Sequence, residues 1–384
     1  MPYLFFYQLY SFLNSALFYS LLLLNLVFLN CGGPTLIPGA VSKDVKKGGV
    51  PVTALAISHD AQYLLSGHDN GTVVLWNLKE SKAQEIHEDL SSAIYTVDIN
   101  SEFGNIIASA DQEGNLIVKE IGGETVFRHS QQKQYPIFAL NIGLGGKRIY
   151  CGADDSLGYV FDVDSGKLMK YLYQKGTSDA SVFCSDLSLN NRYFATGHQD
   201  GTFKLWDARD LSLIDEEKHD DYPIVAIDFS SDGDFLVIGN SNGNIFLYSI
   251  DQKKIIRQKK SKPMSSISFG PKNKTLISSH DDKRIRFWKI DRETNPIKYI
   301  DSSPKIHAQY ISHVIVYKKL IITSSLDGYI KIFDMNYNEK ASLSITKHDD
   351  WIIINSDGYY NGKGSSLNKY DPNKQKESVL NNLF

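Results

Sequence analysis

The stretch from Thr196 to Ala208 reads TGHQDGTFKLWDA, and it decides the fold. Asp200-Gly201 predicts a tight turn, because glycine accepts the positive φ that two-residue hairpins require. Phe203-Lys204-Leu205-Trp206 then alternates apolar and polar residues, which is the period of a strand with one buried face. The stretch therefore predicts two short antiparallel strands joined by a hairpin turn.

Similar stretches recur along the chain at a nearly constant spacing. Ser66 to Leu78 reads SGHDNGTVVLWNL, and Ser278 to Ile290 reads SSHDDKRIRFWKI. Four degenerate copies share the same turn. The aligned turn positions lie 40 to 45 residues apart, at Gly71, Gly114, Gly158, Gly201, Gly243, Lys283 and Gly328. A period of ~40–45 residues with four strand-like runs in each unit is the signature of a propeller blade.

These repeats resemble the WD40-repeat family, over about residues 50 to 350. The resemblance implies an all-β fold, a seven-bladed β-propeller with four-stranded antiparallel blades around a central channel. It also implies a platform for protein partners rather than an enzyme. Residues 348–362 resemble the opening hairpin of one more repeat. We expect this C-terminal hairpin to cap the last blade or to form a composite eighth blade with the segment at residues 32–49 that precedes the propeller. We expect the tail after Ser365 to be frayed.

Charge and cysteine content narrow the class of protein. The chain has 384 residues, a formal net charge of −3 and three cysteines. Near-balanced charge gives no bulk field that would attract nucleic acid. Cys31, Cys151 and Cys184 are too few for a disulfide framework, and no pair has metal-ligand spacing. We expect Cys151 and Cys184 to be buried thiols in a monomeric propeller, with a disulfide between adjacent blades as the alternative.

The amino-terminal segment predicts export. Residues 1 to 42 contain no Asp, Glu, Lys or Arg, and Ala16 to Leu29 is a 14-residue run that is almost wholly apolar. That run is short for a bilayer-spanning helix of ~20 residues and is typical of a secretory signal. With Cys31 close behind it, the segment resembles a bacterial lipoprotein signal, whose cleavage would leave Cys31 lipid-modified. Asn30 and the absence of basic residues depart from that pattern.

The alternative for this segment is an uncleaved membrane anchor beginning near Tyr3. Both interpretations place the propeller outside the cytoplasm, anchored to a membrane of the cell envelope and facing the periplasm or the surface. A wholly cytoplasmic protein is the third interpretation. The predicted domain organisation is a signal at 1–31, a tether at 32–49, a propeller at 50–347, and a C-terminal hairpin and tail at 348–384.

Three histidines occupy the same position beside the turn between the second and third strands of blades 1, 4 and 6. Equivalent positions on non-adjacent blades are too far apart to share one ion, so we predict no metal site. Tyrosines stand at the start of the first strand in blades 3, 5 and 7, where aromatic anchors suit a protein interface. The predicted partner-binding rim consists of Tyr135, Tyr222, Tyr310, His68, His198 and His280. The alternatives are turn-stabilising histidines and tyrosines that pack between blades.

The family resemblance also implies a buried His–Ser/Thr–Asp–Trp network whose histidine precedes the first strand of a blade. His87, His129, His219 and His348 occupy such positions, but the blades that follow lack parts of the network. Blade 4 has Thr196, Asp200 and Trp206 without the histidine. We therefore predict structural rather than catalytic roles for these four histidines.

Two charged runs lie near each other, and the basic one is predicted to be the outer strand of blade 5. Lys253 to Lys262 is basic, and Asp215 to Asp221 is acidic. Lysine on an exposed edge strand discourages pairing with another chain, which is the role that we predict for the basic run. Attraction of this run to anionic lipid or to an acidic partner is the alternative.

The sequence has no Gly-rich phosphate loop, no nucleophile elbow and no Cys-x-x-Cys pair, so we predict no catalytic residues and no cofactor. The predicted function is a non-enzymatic protein-interaction scaffold, lipid-anchored in a bacterial cell envelope. One alternative is a ligand- or cofactor-binding, even enzymatic, propeller that uses scattered channel residues such as Asp98, Asp186 and Asp228. Others are an accessory factor of a periplasmic respiratory reductase and a purely structural spacer.

Overall fold

A computed structural model of the chain describes residues 49–85, 90, 92–100, 105–130, 134–172, 180–290, 297–347, 350–364, 367, 372–380 and 383–384. These residues form thirty strands and two short 3₁₀ turns. Within these ranges no helix has the length and apolar character needed to cross a membrane. The signal segment, Cys31, nearly all of the tether, His87 and His348 lie outside the described residues.

The strands form seven antiparallel sheets, one for each repeat. Blades 1 to 4 consist of β1 (Val52–Ile57), β2 (Tyr63–His68), β3 (Val73–Asn77) and β4 (Lys82–Glu85); β5 (Ile94–Asn100), β6 (Ile106–Asp111), β7 (Asn115–Glu120) and β8 (Thr125–Ser130); β9 (Ile137–Gly143), β10 (Arg148–Ala153), β11 (Gly158–Asp162) and β12 (Leu168–Leu172); and β13 (Val182–Leu187), β14 (Tyr193–His198), β15 (Thr202–Asp207) and β16 (Leu213–Lys218). Blades 5 to 7 consist of β17 (Ile224–Phe229), β18 (Phe235–Asn240), β19 (Asn244–Ser249) and β20 (Lys254–Lys260); β21 (Met264–Phe269), β22 (Thr275–His280), β23 (Ile285–Lys289) and β24 (Lys298–Ser302); and β25 (Ile311–Tyr317), β26 (Leu320–Ser325), β27 (Tyr329–Asp334), β28 (Glu339–Lys347), β29 (Asp350–Asn355) and β30 (Tyr360–Lys363).

The first four strands of each blade, named a to d, lie in sequence order from the channel outwards. Strand a of each blade contacts strand a of the next, and β25 of blade 7 contacts β1 of blade 1, so the ring is closed. The structure therefore confirms the predicted all-β, seven-bladed propeller. Each boundary between blades buries apolar side chains of both neighbours, as where Leu65 and Leu75 of blade 1 pack with Ile94 and Ile107 of blade 2.

The close approach of the next blade explains why strand b has small residues among its apolar ones in the repeated stretch. A Cβ atom built on Gly67 would lie 2.4 Å from Cγ2 of Ile94, and one built on Gly197 would lie 2.5 Å from Cγ2 of Ile224. Real Cβ contacts are essentially never that short, so only glycine lets strand a of the next blade approach so closely. The glycine before His68 and before His198 is therefore a requirement of blade-to-blade packing.

The C-terminal hairpin extends blade 7 and does not form an eighth blade. Strands β29 and β30 pair outside β28, which makes the sheet of blade 7 six strands wide. The tail then docks at the boundary with blade 1, where Ser81 Oγ accepts hydrogen bonds from the backbone N–H groups of Val379 and Leu380, both at 2.9 Å. The expectation of a frayed tail is wrong for residues 372–380, because Val379 and Leu380 are buried among apolar residues of blades 1 and 7.

Candidate partner-binding rim

The antiparallel order of each blade defines two rims of the propeller. The b–c turns and the links from strand d to the next strand a lie at one end, which we call the upper rim. The a–b and c–d turns lie at the other end, the lower rim. Backbone hydrogen bonds join the two parts of the upper rim, as from Asp69 N to Pro51 O at 3.1 Å and from Gln199 N to Ser181 O at 2.9 Å. The two rims are therefore distinct surfaces built from different segments.

The three predicted rim histidines are buried at the last residue of strand b. His68, His198 and His280 are 0%, 2% and 0% exposed. In blade 1 the Trp76 Nε1–H donates to Ser66 Oγ at 2.9 Å, and Ser66 Oγ lies 2.9 Å from His68 Nε2. The corresponding groups are Trp206, Thr196 and His198 in blade 4, and Trp288, Ser278 and His280 in blade 6.

Each of these histidines ends a chain of hydrogen bonds. In blade 4, His198 Nδ1 lies 2.9 Å from the backbone oxygen of Ala180, which can only accept. Nδ1 therefore carries the proton, and Nε2 accepts from the Thr196 hydroxyl, which itself accepts from Trp206. Burial lowers the pKa of His68, His198 and His280 to about 4, because the charged imidazolium loses its hydration. The geometry gives these rings a structural role, and a partner-binding role for them stays a prediction.

Blade 7 builds a related network from a histidine that the sequence analysis did not single out. His307 lies in the link before β25, with Nε2 2.8 Å from Thr323 Oγ1 and Nδ1 3.0 Å from Asp327 Oδ2. Asp327 also accepts the backbone N–H of Ala308 at 2.8 Å. The strand c position that holds tryptophan in blades 1, 4 and 6 is Phe333 here. Blade 7 thus has the His–Thr–Asp part of the network implied by the family resemblance.

His129, in β8, and His219, in the link before β17, make packing contacts. The ring of His129 lies 4.8 Å from that of Phe161, and the ring of His219 lies 4.9 Å from that of Phe246, measured between centroids. Both contacts cross from one blade to the next. These positions are consistent with the predicted structural roles.

The predicted rim tyrosines are spread around the propeller on blades 3, 5 and 7. Tyr222 is 40% exposed, whereas Tyr135 and Tyr310 are half-buried. Burial raises the pKa of Tyr310 above its ordinary value, although a hydrogen bond with the Ser265 side chain of the preceding blade opposes the rise. Tyr310 therefore fits the alternative of packing between blades. Partner binding by Tyr135 and Tyr222 stays a prediction.

A ring of β-bulges at the mouth of the channel was missed by the sequence analysis. In all seven blades the register between strands a and b shifts at the second residue of strand a. A bulge removes one residue from the ladder and re-aims its side chain, and bulges are frequent beside functional sites. The seven bulge residues are Thr53, Tyr95, Phe138, Phe183, Val225, Ser265 and Ser312.

The bulge ring has an aromatic half and a hydroxyl half, and Val225 of blade 5 belongs to neither. Tyr95, Phe138 and Phe183, which we call the aromatic arc, are half-buried, with ring centroids 5.3 Å apart for the first pair and 5.4 Å for the second. On the other side, Ser265 Oγ donates to Ile311 O at 2.7 Å and Ser312 Oγ donates to Val52 O at 2.8 Å. The hydroxyl half therefore joins blades 6, 7 and 1. In the sequence, each aromatic follows the first apolar residue of strand a.

The two rims also differ in charge. The b–c turns of the upper rim carry two basic residues, Lys283 and Arg284, both in blade 6, among the acidic residues Asp69, Glu113, Asp154, Asp155, Asp200, Asp281, Asp282 and Asp327. The a–b turns described on the lower rim carry the basic residues Lys147, Arg192, Lys272, Lys274, Lys318 and Lys319 and the acidic residues Asp60, Asp232 and Asp234. The upper rim is thus acidic although the chain is nearly neutral.

The channel carboxylates hold neighbouring blades together. Asp98, Asp186 and Asp228 each accept a backbone N–H from strand a of the next blade, at 2.6, 2.7 and 2.5 Å. Burial raises the pKa of Asp98 to about 6 and that of Asp228 to about 7. Among the described residues, no group of three His, Cys, Asp or Glu side chains could hold a metal ion. A channel ligand or cofactor stays a prediction without support from these contacts.

Cys151 is buried as expected, whereas Cys184 is only partly buried, and the basic run lies on an outer strand as predicted. Cys151 in β10 and Cys184 in β13 are free thiols, and burial raises the pKa of both well above the ordinary value. Strand β20 is the outer strand of blade 5 and contains most of the basic run. Its role in protecting the edge is still a prediction.

Comparison with known proteins agrees with the repeat geometry. Residues 146–319 match the family of the Nucleolar protein 10-like, N-terminal domain, a β-propeller. Residues 44–77 match the WD domain, G-beta repeat.

Several curated proteins are similar at low identity. Human protein NEDD1 is 26% identical over 206 residues, which are 52% of this chain and 30% of that protein. The periodic tryptophan protein 2 homolog of Dictyostelium discoideum is 23% identical over 310 residues, 78% of this chain and 32% of that protein. Eukaryotic translation initiation factor 3 subunit I of Botryotinia fuckeliana is 22% identical over 256 residues, 60% of this chain and 76% of that protein.

This chain therefore spans about a third of the length of the first two relatives. All three relatives are eukaryotic proteins, and the bacterial lipoprotein assignment stays a prediction. The repeats, the closed ring of blades, the Trp–Ser/Thr–His contacts and the matched families lead to one conclusion: this chain is a WD40-repeat β-propeller protein.

Proposed function

We propose that this protein is a non-enzymatic scaffold that holds a protein partner on the upper rim of its propeller. The single observation that carries the proposal is the acidic upper rim, with exposed tyrosine, on a closed seven-bladed frame. The histidines are engaged in hydrogen bonds within their own blades, and the channel carboxylates accept hydrogen bonds from the next blade. One relative is by its name a subunit of a larger factor, which supports a partner-binding role.

The test is a crosslinking affinity purification of the full-length chain, with bound proteins identified and quantified. The upper-rim variant carries Glu113→Lys and Asp221→Lys, two exposed acidic residues. The matched lower-rim variant carries Lys147→Glu and Lys319→Glu, two exposed basic residues. We expect one partner at near-equal stoichiometry with the wild type and the lower-rim variant, and its loss with the upper-rim variant. No partner under crosslinking, or equal loss with both variants, would contradict the proposal.

We further propose that the chain is anchored to a membrane of the cell envelope through a lipid on Cys31. The support comes from the sequence alone: the uncharged leader, the apolar run from Ala16 to Leu29 and the cysteine behind it. A narrower form of the proposal makes the protein an accessory factor of a periplasmic respiratory reductase. The identity of the purified partner tests that form.

Metabolic labelling with an alkyne fatty acid tests the anchor. Cys31→Ala should abolish the label and release the protein from membranes, whereas Cys184→Ser, a change at a free thiol of the propeller, should leave both unchanged. Membrane retention of Cys31→Ala without label would instead support the uncleaved anchor. Label that persists in Cys31→Ala would contradict the lipoprotein proposal.

A further inference from the structure

We propose that the aromatic arc of Tyr95, Phe138 and Phe183, together with the carboxylates of Asp69 and Asp154, is the docking site for a basic side chain of the partner. The occupant is a protein segment that inserts one arginine or lysine into the channel mouth. This inference rests on the proposed scaffold function and names the chemistry that the scaffold recognises.

The first support is the way in which the arc is built. Bulges in β5, β9 and β13 take these three residues out of the strand a–strand b ladder. Their rings form one continuous row across blades 2, 3 and 4, stacked at the first contact and edge-on at the second. All three residues are partly exposed. The face of an aromatic ring attracts a cation through the quadrupole of the ring, and three neighbouring rings provide several such faces.

The second support is the position of the carboxylates. Asp154 joins the starts of two strands of the arc, because its backbone N–H donates to Pro136 O at 3.0 Å and its Oδ1 accepts from Ser181 Oγ at 2.8 Å. Pro136 and Ser181 each stand two residues before an arc residue. On the other side, Asp69 N donates to Pro51 O at the start of blade 1. Asp154 thus lies between the blade 3 and blade 4 parts of the arc, and the negative charges of Asp69 and Asp154 both act on Tyr95.

The electrostatics agree with this placement. Burial raises the pKa of Tyr95 above its ordinary value, and the negative charges of Asp69, Asp154 and Asp111 raise it further. The b–c turns of blades 1, 2 and 3, all of them described, contain no Lys or Arg. A cation above Tyr95 would thus meet ring faces and negative charge together. A carboxylate or phosphate would meet repulsion there.

The hydroxyl half of the bulge ring has no aromatic side chain, so the proposed site is confined to blades 2 to 4. Ser265 and Ser312 donate to backbone oxygens of the following blades, and Thr53 Oγ1 donates to Gly67 O at 3.1 Å. These short side chains are engaged with the frame at the boundaries that close the ring. The aromatic arc contributes large side chains to the mouth instead.

The test measures binding of short fluorescein-labelled Gly-Ser peptides that differ in one central residue: arginine, lysine, leucine or glutamate. The full-length protein is titrated at low salt, and binding is followed by fluorescence anisotropy. We expect the arginine and lysine peptides to bind at least about tenfold more tightly than the leucine and glutamate peptides. Raising the salt from about 0.05 to about 0.3 M should weaken that binding, because the Debye length shortens.

Variants locate the site. Phe138→Ser should weaken binding of the arginine peptide about tenfold, and Phe138→Leu, which keeps apolar volume without a ring face, should weaken it by a similar factor. Asp154→Asn, whose amide oxygen can still accept from Ser181, should also weaken it. The matched control is Tyr299→Ser, an exposed tyrosine on β24, the outer strand of blade 6, which should leave the affinity unchanged. Thermal unfolding of every variant identifies any that fail to fold.

Other outcomes would overturn the inference. Equal binding of the leucine or glutamate peptide, no measurable binding of any peptide, or full binding by Phe138→Leu would each do so. Partner capture by the rim variants is a separate measurement. A partner lost on upper-rim charge reversal, combined with failure of the peptide series, would keep the scaffold function and remove the basic docking site.

Discussion

Blades 4 and 7 place a histidine against the same strand b hydroxyl, but the two histidines come from different parts of the chain. In blade 4 His198 is the last residue of β14, two positions after Thr196. In blade 7 His307 comes from the d–a link, sixteen residues before Thr323. Blade 4 completes the contact with Trp206, whereas blade 7 has Phe333 on strand c and adds Asp327 on the far side of the imidazole.

The difference shows that the hydroxyl, rather than the histidine, is the fixed point of the network. A buried hydroxyl needs both a donor and an acceptor nearby, because an unpaired polar group in the interior is costly. Tryptophan and histidine meet both needs in blade 4. In blade 7 the carboxylate of Asp327 orients the imidazole, and interaction with His307 holds the pKa of Asp327 below its ordinary value although burial opposes this.

The largest effect should come from removing the hydroxyl. Thr196→Val keeps the shape of the side chain but leaves Trp206 Nε1–H and His198 Nε2 without their partner. Each buried unsatisfied group costs about 1–3 kcal/mol, so we expect a loss of about 2–5 kcal/mol in the free energy of unfolding. Thr323→Val in blade 7 removes one such side-chain contact, with His307, and should cost about 1–3 kcal/mol.

The measurement is urea unfolding at neutral pH, with both variants compared with wild type by midpoint and slope. A smaller loss for Thr196→Val than for Thr323→Val would contradict the argument that tryptophan adds a second obligatory contact in blade 4.

A second prediction uses pH to separate the two blades. The pKa of His198 is lowered to about 4 from an unfolded value near 6.5, so the unfolded chain binds this proton more tightly. The stability that depends on the neutral ring is complete above pH ~6.5 and is lost as the pH falls towards 4. Between pH 7 and 5 this amounts to about 2 kcal/mol. The pKa of Asp327 is lowered, so the stability that depends on its charge is lost only as the pH falls to the ordinary carboxyl pKa and below. This carboxyl of blade 7 therefore adds no pH dependence of stability between pH 7 and 5.

His198→Gln tests this prediction by difference, because every other titrating group is shared with wild type. Asp98 and Asp228 have raised pKa values and act in the opposite direction, which makes the raw pH profile of either protein uninformative alone. We expect the wild type to lose about 2 kcal/mol more than His198→Gln between pH 7 and 5 in urea unfolding. Parallel profiles would show that His198 is not held neutral by its surroundings.

Sequence patterns predicted the frame because propeller blades are built from local signals. The turn glycines, the strand alternation and the period of the repeats all act within one hairpin or one blade, and Gly71 and Gly201 have the positive φ that the turn requires. The hydroxyl-x-His spacing, followed by tryptophan ten residues after the hydroxyl, is also visible in the three blades at Ser66, Thr196 and Ser278. That spacing could have identified the buried network.

The aromatic arc and the docked tail could not be derived in the same way. The side chains of Tyr95, Phe138 and Phe183 meet only when three blades are assembled, and single strand starts do not show it. The tail is polar for most of its length, and burial of Val379 and Leu380 depends on the boundary between blades 7 and 1, which are far apart in sequence. Such contacts depend on the closed ring rather than on local sequence.

The smallest effect should follow Thr196→Ser, which turns the hydroxyl of blade 4 into the one that blades 1 and 6 use naturally. Ser66 and Ser278 make the same contacts as Thr196, at 2.9 and 2.8 Å from their tryptophans and 2.9 and 2.7 Å from their histidines. The variant therefore keeps the network and loses one buried methyl group, which costs about 1 kcal/mol. In urea unfolding, Thr196→Ser should have a clearly larger free energy of unfolding than Thr196→Val. It should also keep the pH dependence of stability of the wild type. A loss as large as that of Thr196→Val would mean that blade 4 depends on the volume of Thr196 and not on its hydroxyl, and the comparison between blades 4 and 7 would then rest on packing instead of hydrogen bonds.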